Sequence, residues 1–200
     1  MTMRDLLGRI ENMPVSITIM LVWIVMWVLA VCKINVLSAL AGKGAAQIGK
    51  QYYRYFTGWL LHKHIVHLLA NVSALFWIGL VYENHTGSVR FLLVGLICAV
   101  LCAIVLSFIY RNASECIGGS SFTYALLGFG LTMQFLVPGS PKLALGTWSG
   151  NWLLVYAIAS NFPFRISILP FVDVATIVTH VIAFAFGALA ALGCRLLGIG

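Results

Sequence analysis

Two polar residues in apolar surroundings, Ser120 and His180, are of the types that carry out nucleophilic chemistry together. Ser120 follows two glycines in the segment CIGGSSFTYALLGFG, where a loop is predicted to become an apolar helix. Its hydroxyl would lie at the positive end of the helix dipole, and Gly118 and Gly119 would let the backbone approach another group closely. A serine hydroxyl is a poor nucleophile unless a base takes its proton. His180, within a later apolar stretch, is the candidate base.

A second polar group precedes the serine in the chain. His67 and Asn71 are four residues apart and would share a helix face, and His62 lies just before them. His62 and Asn71 are candidate N–H donors to an oxyanion, together with the backbone N–H of Ser120. Tyr124 comes one turn after Ser120, where its ring could pack against His180 and orient the imidazole. These residue types would suit a serine hydrolase.

Each of these residues also has an ordinary structural explanation. A serine near the end of a membrane span is usually a helix cap or an interhelical hydrogen-bonding group. A lone His180 would more often be a packing histidine or part of a proton relay, and Asn71 an interhelical contact. Glu83 is interpreted as a loop-capping acid. On composition and spacing alone, a channel or transporter stays ahead of an enzyme.

The composition is that of a membrane protein. Of 200 residues, 62% are hydrophobic and 8% are charged, and the mean hydropathy is +1.01. These values predict an all-α polytopic membrane protein with one domain, embedded in a lipid bilayer. The net charge of +7 reflects few acids rather than a basic patch, so we expect no nucleic-acid partner. Neither a nucleotide-binding loop nor a metal-ligand motif is evident, so we expect no nucleotide, metal or cofactor.

Hydropathy predicts a short N-terminal tail, residues 1–14, and a membrane domain, residues 15–200. The long connection after the first span is aromatic and amphipathic in its second half, which favours an interfacial segment. The fifth span is interrupted by Asn161, Pro163 and Arg165, and the sixth is rich in small residues. The charge distribution does not settle the orientation. The six predicted spans are 15–32, 64–82, 91–110, 120–137, 151–170 and 171–197.

Several motifs occur together in one order along the chain. They are YRYFT at Tyr53 to Thr57, H-x4-H-x3-N from His62 to Asn71, G-x3-E-x3-G from Gly79 to Gly87, GGSS followed by YALLG, and His180 with Gly187. In this order, and with six spans, the chain resembles the rhomboid family of intramembrane serine proteases. The likeness is greatest to the compact six-helix bacterial type and covers most of the chain from Tyr53 onward.

The resemblance implies a six-helix bundle that cleaves transmembrane helices of other membrane proteins. It implies Ser120 as the nucleophile, His180 as the general base, and His62 and Asn71 with the Ser120 amide as the oxyanion site. It also implies a multi-pass protein of the bacterial inner membrane. Supporting roles fall to Tyr124, to His67 and Arg54 in ordering the second helix and the first loop, and to Gly118 and Glu83 within their motifs.

Three residues depart from the family pattern. Ser121 stands where glycine usually follows the nucleophile, and its Cβ is expected to narrow the oxyanion site or tilt Ser120. Tyr53 replaces a tryptophan, and Ala183 replaces a glycine in the sixth span, where a methyl group would push that helix from the fourth. The alternative to a protease is a non-catalytic rhomboid-like protein that binds transmembrane helices.

Overall fold

The computed structural model describes residues 8–162 and 173–198. Within these ranges the regular elements are helices, apart from one isolated antiparallel bridge between Gly42 and Cys116. They include a 3-10 turn at Gly58–Leu60 and a π-helical stretch at Gly79–Glu83. The helices are α1 Pro14–Val31, α2 Val36–Leu40, α3 Arg54–Thr57, α4 Ile65–Thr86, α5 Ser88–Ile109, α6 Ser120–Leu136, α7 Trp148–Ala159 and α8 Val174–Leu196.

Four of these helices, α1, α4, α5 and α8, are long and apolar enough to cross a membrane. The prediction of an all-α membrane protein is therefore confirmed. Helix α6 has 17 residues, and the described part of α7 has 12, so their crossing of the bilayer stays a prediction. Every residue of α6 from Ser120 to Gly130 is buried, which makes it the central helix of the bundle.

The connection between the second and third predicted spans is shorter than expected. We expected a turn over residues 83–90, but α4 continues to Thr86 and α5 begins at Ser88. Only Gly87, with φ of +83°, separates the two helices. A positive φ costs glycine little, so one residue can reverse the chain here. Residues 163–170 of the fifth predicted span and 171–172 of the sixth lie outside the described ranges.

The buried carboxylate of Glu83 ties three helices together. It accepts hydrogen bonds from the backbone N–H of Val15 at 2.8 Å and of Ser16 at 2.8 Å, and from the Ser16 hydroxyl at 2.6 Å. It also accepts from the hydroxyl of Ser88, the first residue of α5, at 2.9 Å. The negative charge thus caps α1 at its positive end. A Cβ at Gly79 would overlap the Ser16 side chain, so this approach of α1 to α4 needs glycine.

Helices α6 and α8 pack backbone to backbone. A Cβ at Gly187 would overlap the carbonyl oxygen of Ala125, and one at Gly128 would overlap that of Phe184. Ala183, where we expected a methyl group to push the helices apart, is fully buried. The small residues at these positions therefore allow the two helices to pack closely.

The first connection is folded onto the loop that leads to Ser120. Gly42 and Cys116 exchange two backbone hydrogen bonds, of 2.9 and 2.8 Å, and Gly118 N–H donates to Gly58 O at 3.3 Å. Arg54 is buried and donates from Nη1 to Ala41 O at 2.8 Å. These backbone hydrogen bonds between the first connection and the loop fix the path of the chain into α6.

We expect Glu83→Gln to lower the free energy of unfolding by about 2–3 kcal/mol, because a neutral amide replaces a charged acceptor of four hydrogen bonds, two of them buried and two partly buried. The measurement is unfolding of the purified protein in detergent. Glu11→Gln, at an exposed position, is the matched control and should change little. Equal stability of the two variants would show that the Glu83 charge does not hold α1.

We expect Gly187→Ala to destabilise the protein by about 1–3 kcal/mol, because the new methyl group must push α8 away from the α6 backbone. Gly193→Ala in the same helix is the control, since a Cβ there would meet no atom within 4 Å. That control should be neutral or slightly stabilising through helix propensity. Similar unfolding of both variants would contradict the close packing.

Candidate active site

Ser120 is the first residue of α6 and is 7% exposed. Gly118, with φ of +135°, makes the backbone turn that a side chain would strain. A Cβ at Gly118 would lie 2.7 Å from His67 Cε1, so the His67 ring from α4 packs directly on this turn. The serine hydroxyl therefore lies at the N-terminus of α6. The loop before it is held in place by His67 of α4 and by the first connection.

His180 lies in α8 and is 2% exposed. Its ring stacks on Tyr124, with the centroids 4.1 Å apart and the planes at 11°. Nδ1 is 3.0 Å from Asn161 Oδ1, and among the described residues Nε2 has no hydrogen-bond partner. Asn161 thus binds Nδ1, while Nε2 has no hydrogen-bond partner in the part of the chain that the structure describes.

Contacts between α6 and α8 place His180 close to Ser120 along the helix axes. Tyr124 contacts His180 and Gly128 contacts Phe184, so both helices advance in the same direction. Ser120 is one turn before Tyr124, or about 6 Å along α6. Side chains on a helix lean toward its N-terminus, so the His180 ring leans toward the level of Ser120.

A polar network from α7 holds the ring of Tyr124. Asn161 Nδ2 donates to Tyr124 Oη at 2.6 Å and to Ala157 O at 2.8 Å. Ser160 Oγ donates to Tyr156 O, so Tyr124 Oη donates to Ser160 Oγ, at 2.6 Å. The sequence analysis identified Tyr124 but treated Asn161 only as an interruption of a span. A polar residue within an apolar stretch was the available signal.

His62 and Asn71 are in contact. Asn71 Nδ2 donates to His62 Nε2 at 3.1 Å, and Gly119 N–H donates to the same nitrogen at 3.2 Å. Burial and the neighbouring His67 lower the pKa of His62 to about 3, so the ring is neutral at pH 7. Its proton is therefore on Nδ1, which has no hydrogen-bond partner among the described residues.

Asn71 is fixed from the other side by two hydroxyl groups. Tyr156 Oη of α7 donates to Asn71 Oδ1 at 2.8 Å, and Thr123 Oγ1 of α6 is 3.4 Å from the same oxygen. Oδ1 accepts from Tyr156, so one hydrogen of Nδ2 goes to His62, and no partner for the other is seen among the described residues. The sequence analysis missed both Tyr156 and Thr123, because neither belongs to a motif.

Aromatic rings from α1 and the first connection enclose the site. Trp23 meets His62 edge to face at 5.2 Å, and its indole fills the space that a Cβ at Gly119 would need. Trp59 stacks on Phe122 at 5.0 Å. Neither tryptophan was predicted as a site residue, although Trp23 limits how far His62 and Gly119 can move.

The candidate residues divide into one cluster and two distant supports. The structure groups these residues of the cluster through direct contacts or adjacency: Ser120, Tyr124, His180, His62, His67, Asn71 and Gly118. Arg54 lies apart, holding the first connection through Ala41. Glu83 lies toward the other end of α4, about 18 Å along the helix from Asn71. Ser121 is buried beside Ser120.

Removing the Tyr156 hydroxyl should loosen Asn71. We expect Tyr156→Phe to lower the free energy of unfolding by about 1–2 kcal/mol, because a buried carbonyl oxygen loses its shortest hydrogen bond. Tyr52→Phe is the control, since that side chain is 62% exposed. If thermal unfolding in detergent fails to separate the two variants, the Tyr156–Asn71 bond contributes nothing to stability.

Comparisons with known proteins agree with the motifs. A model of the Rhomboid domain matches residues 49–196. RHOMBOID-like protein 7 of Arabidopsis thaliana is 36% identical over 98 residues, which cover 46% of this chain and 30% of that protein. The match therefore spans less than a third of the length of the plant relative. Since the family model covers most of this chain, including every residue of the cluster described above, the chain is a membrane protein that belongs to the rhomboid family.

Proposed function

We propose that this protein is an intramembrane serine endopeptidase with a Ser120–His180 dyad. One observation carries the proposal. His180 is buried, its ring is stacked on the helix that begins with Ser120, and its Nε2 has no partner among the described residues. The imidazole thus lies against the residue one turn after Ser120, and a serine at a helix N-terminus with an unpartnered imidazole nitrogen at that level is what general-base activation of the hydroxyl requires.

The proposed reaction has two stages. His180 Nε2 takes the proton of Ser120 Oγ as the oxygen attacks the scissile carbonyl carbon. The C–N bond then breaks, the leaving amine takes the proton from Nε2, and an ester links Ser120 to the new carboxyl end. Water, deprotonated by the same nitrogen, then attacks the ester. The bond between Ser120 Oγ and the acyl carbon breaks, Nε2 returns the proton to Oγ, and the second product leaves with a new carboxyl end. The net reaction is hydrolysis of one peptide bond, and its proposed co-reactant is water alone.

Three donors are available for the oxyanion in this proposal. The backbone N–H of Ser120 comes first in α6 and has no intrahelical acceptor. Asn71 Nδ2 keeps one hydrogen, and His62 carries its proton on Nδ1 while Nε2 accepts from Gly119. Asn71 is therefore the side-chain donor that needs no rearrangement. We propose that the His62 ring turns if it is to donate from Nε2.

The proposed substrates are transmembrane helices of other membrane proteins. The support is that α6 is buried inside a bundle with four long apolar helices, so the dyad faces a membrane environment. A helix must unwind near its end to expose a peptide carbonyl, because an intact helix has its carbonyls bonded. We propose the bacterial inner membrane as the location, on the resemblance to the compact six-helix bacterial type.

A fluorophosphonate probe tests the dyad directly. Detergent-purified wild type should be labelled, while Ser120→Ala and His180→Ala should each lose labelling by about 10³-fold or more. Loss in both variants is expected because Ser120→Ala removes the oxygen that bonds to phosphorus, and His180→Ala removes the base that takes the proton of that oxygen. Ser73→Ala is a matched serine control outside the dyad, and it should label like wild type.

Other outcomes would redirect the assignment. If wild type stays unlabelled while Ser121→Gly labels, the Ser121 side chain blocks the site, and a non-catalytic binder of transmembrane helices becomes the better proposal. If both proteins are folded and neither labels, the protease proposal is wrong. Labelling that survives Ser120→Ala would place the nucleophile elsewhere.

A further inference from the structure

We propose that Asn161 is a positioning residue that holds His180 in the tautomer with its proton on Nδ1. The proposal deepens the proposed function, because it concerns the base of the same dyad. It rests on the geometry around Asn161 in the residue range that the structure describes, just after the end of α7. In this tautomer the lone pair of Nε2 is free to accept the proton of Ser120.

The amide orientation of Asn161 follows from its partners. Nδ2 donates to Tyr124 Oη at 2.6 Å and to the backbone oxygen of Ala157 at 2.8 Å. A carbonyl oxygen can only accept, so the Ala157 contact requires the NH2 group on that side. Both hydrogens of Nδ2 are then used, and Oδ1 must face His180.

The orientation of Asn161 decides the tautomer of His180. Oδ1 lies 3.0 Å from Nδ1, and an oxygen that only accepts requires an N–H on the ring. The opposite tautomer would place two lone pairs against each other in a buried site. The Tyr124 ring, stacked at 4.1 Å, restricts the plane of the imidazole but cannot choose between its nitrogens. The hydrogen bond to Asn161 therefore determines which nitrogen carries the proton, which stacking on Tyr124 does not.

The same segment of chain reaches the proposed oxyanion group. Tyr156 donates to Asn71 at 2.8 Å, and Asn161, five residues later, accepts from His180. One helix end thus positions both the base and an oxyanion donor. Because Tyr156 lies in α7 and Asn161 just after it, one short segment of chain sets both parts of the site.

The direct test is nitrogen NMR of the wild-type protein labelled with ¹⁵N-histidine, with His180 assigned from a His180→Gln spectrum. The expected spectrum shows His180 protonated on Nδ1 and unprotonated on Nε2 at neutral pH. A ring protonated only on Nε2 would overturn the proposal. This readout does not depend on activity, so it stands even if Ser120 proves not to be a nucleophile.

Two variants separate positioning of His180 from packing. Asn161→Leu removes the acceptor, and Asn161→Asp keeps an acceptor oxygen while removing the donors to Tyr124 and Ala157. We expect Asn161→Leu to slow fluorophosphonate labelling about 10²-fold and to mix the His180 tautomers. Asn161→Asp should keep the Nδ1–H tautomer and label within about tenfold of wild type. Asn151→Leu, at an exposed position on α7, is the control and should label normally.

The pattern of results decides between the roles. Equal loss in Asn161→Leu and Asn161→Asp, with the wild-type tautomer kept in both, would show that Asn161 acts only through packing and would overturn the proposal. If wild type is not labelled at all, the protease assignment fails, and the tautomers of wild type and Asn161→Leu still decide the role of Asn161.

Discussion

The close contact between α6 and α8 is the constraint on which the site depends. Gly187 and Gly128 remove the side chains that would separate these helices, and Ala183 adds only a buried methyl group between them. In a bilayer the hydrophobic effect contributes little to helix association, so close packing has to supply the attraction between the helices. The distance between the Ser120 helix and the His180 ring is a result of this contact, and larger residues here would set it differently.

Polar groups in this bundle are arranged as a chain of partners rather than as separate pairs. The chain runs from His62 through Asn71 to Tyr156, and a second one runs from His180 through Asn161 to Tyr124. An unpaired polar group in an apolar interior is costly, so each member restrains its neighbour. Among the described residues, four buried side-chain nitrogens have no hydrogen-bond partner: Trp23 Nε1, Trp59 Nε1, His62 Nδ1 and His180 Nε2. The last two belong to the imidazole rings of the candidate site.

The sequence predicted contacts between residues one helical turn apart better than contacts between distant segments of the chain. Tyr124 follows Ser120 by one turn of α6, and Asn71 follows His67 by one turn of α4, so spacing within each helix indicated a shared face. Asn161 and Tyr156 meet their partners only when α7 packs against α4, α6 and α8, and no local pattern records that. The turn after α4 was misjudged for the same reason. The helix persists to Thr86 because Glu83 is bound by α1, 67 residues away in sequence.

The Glu83 cap has a consequence for the order in which the chain can assemble. During synthesis, α1 emerges before α4, yet the acceptor for Val15 and Ser16 is made only when residue 83 appears. Pro14 lacks an N–H, so these two groups are the first that α1 must satisfy. Until α4 is complete, the beginning of α1 has to remain where water or headgroups can bond to it. The final position of α1 in the membrane therefore depends on the completion of α4.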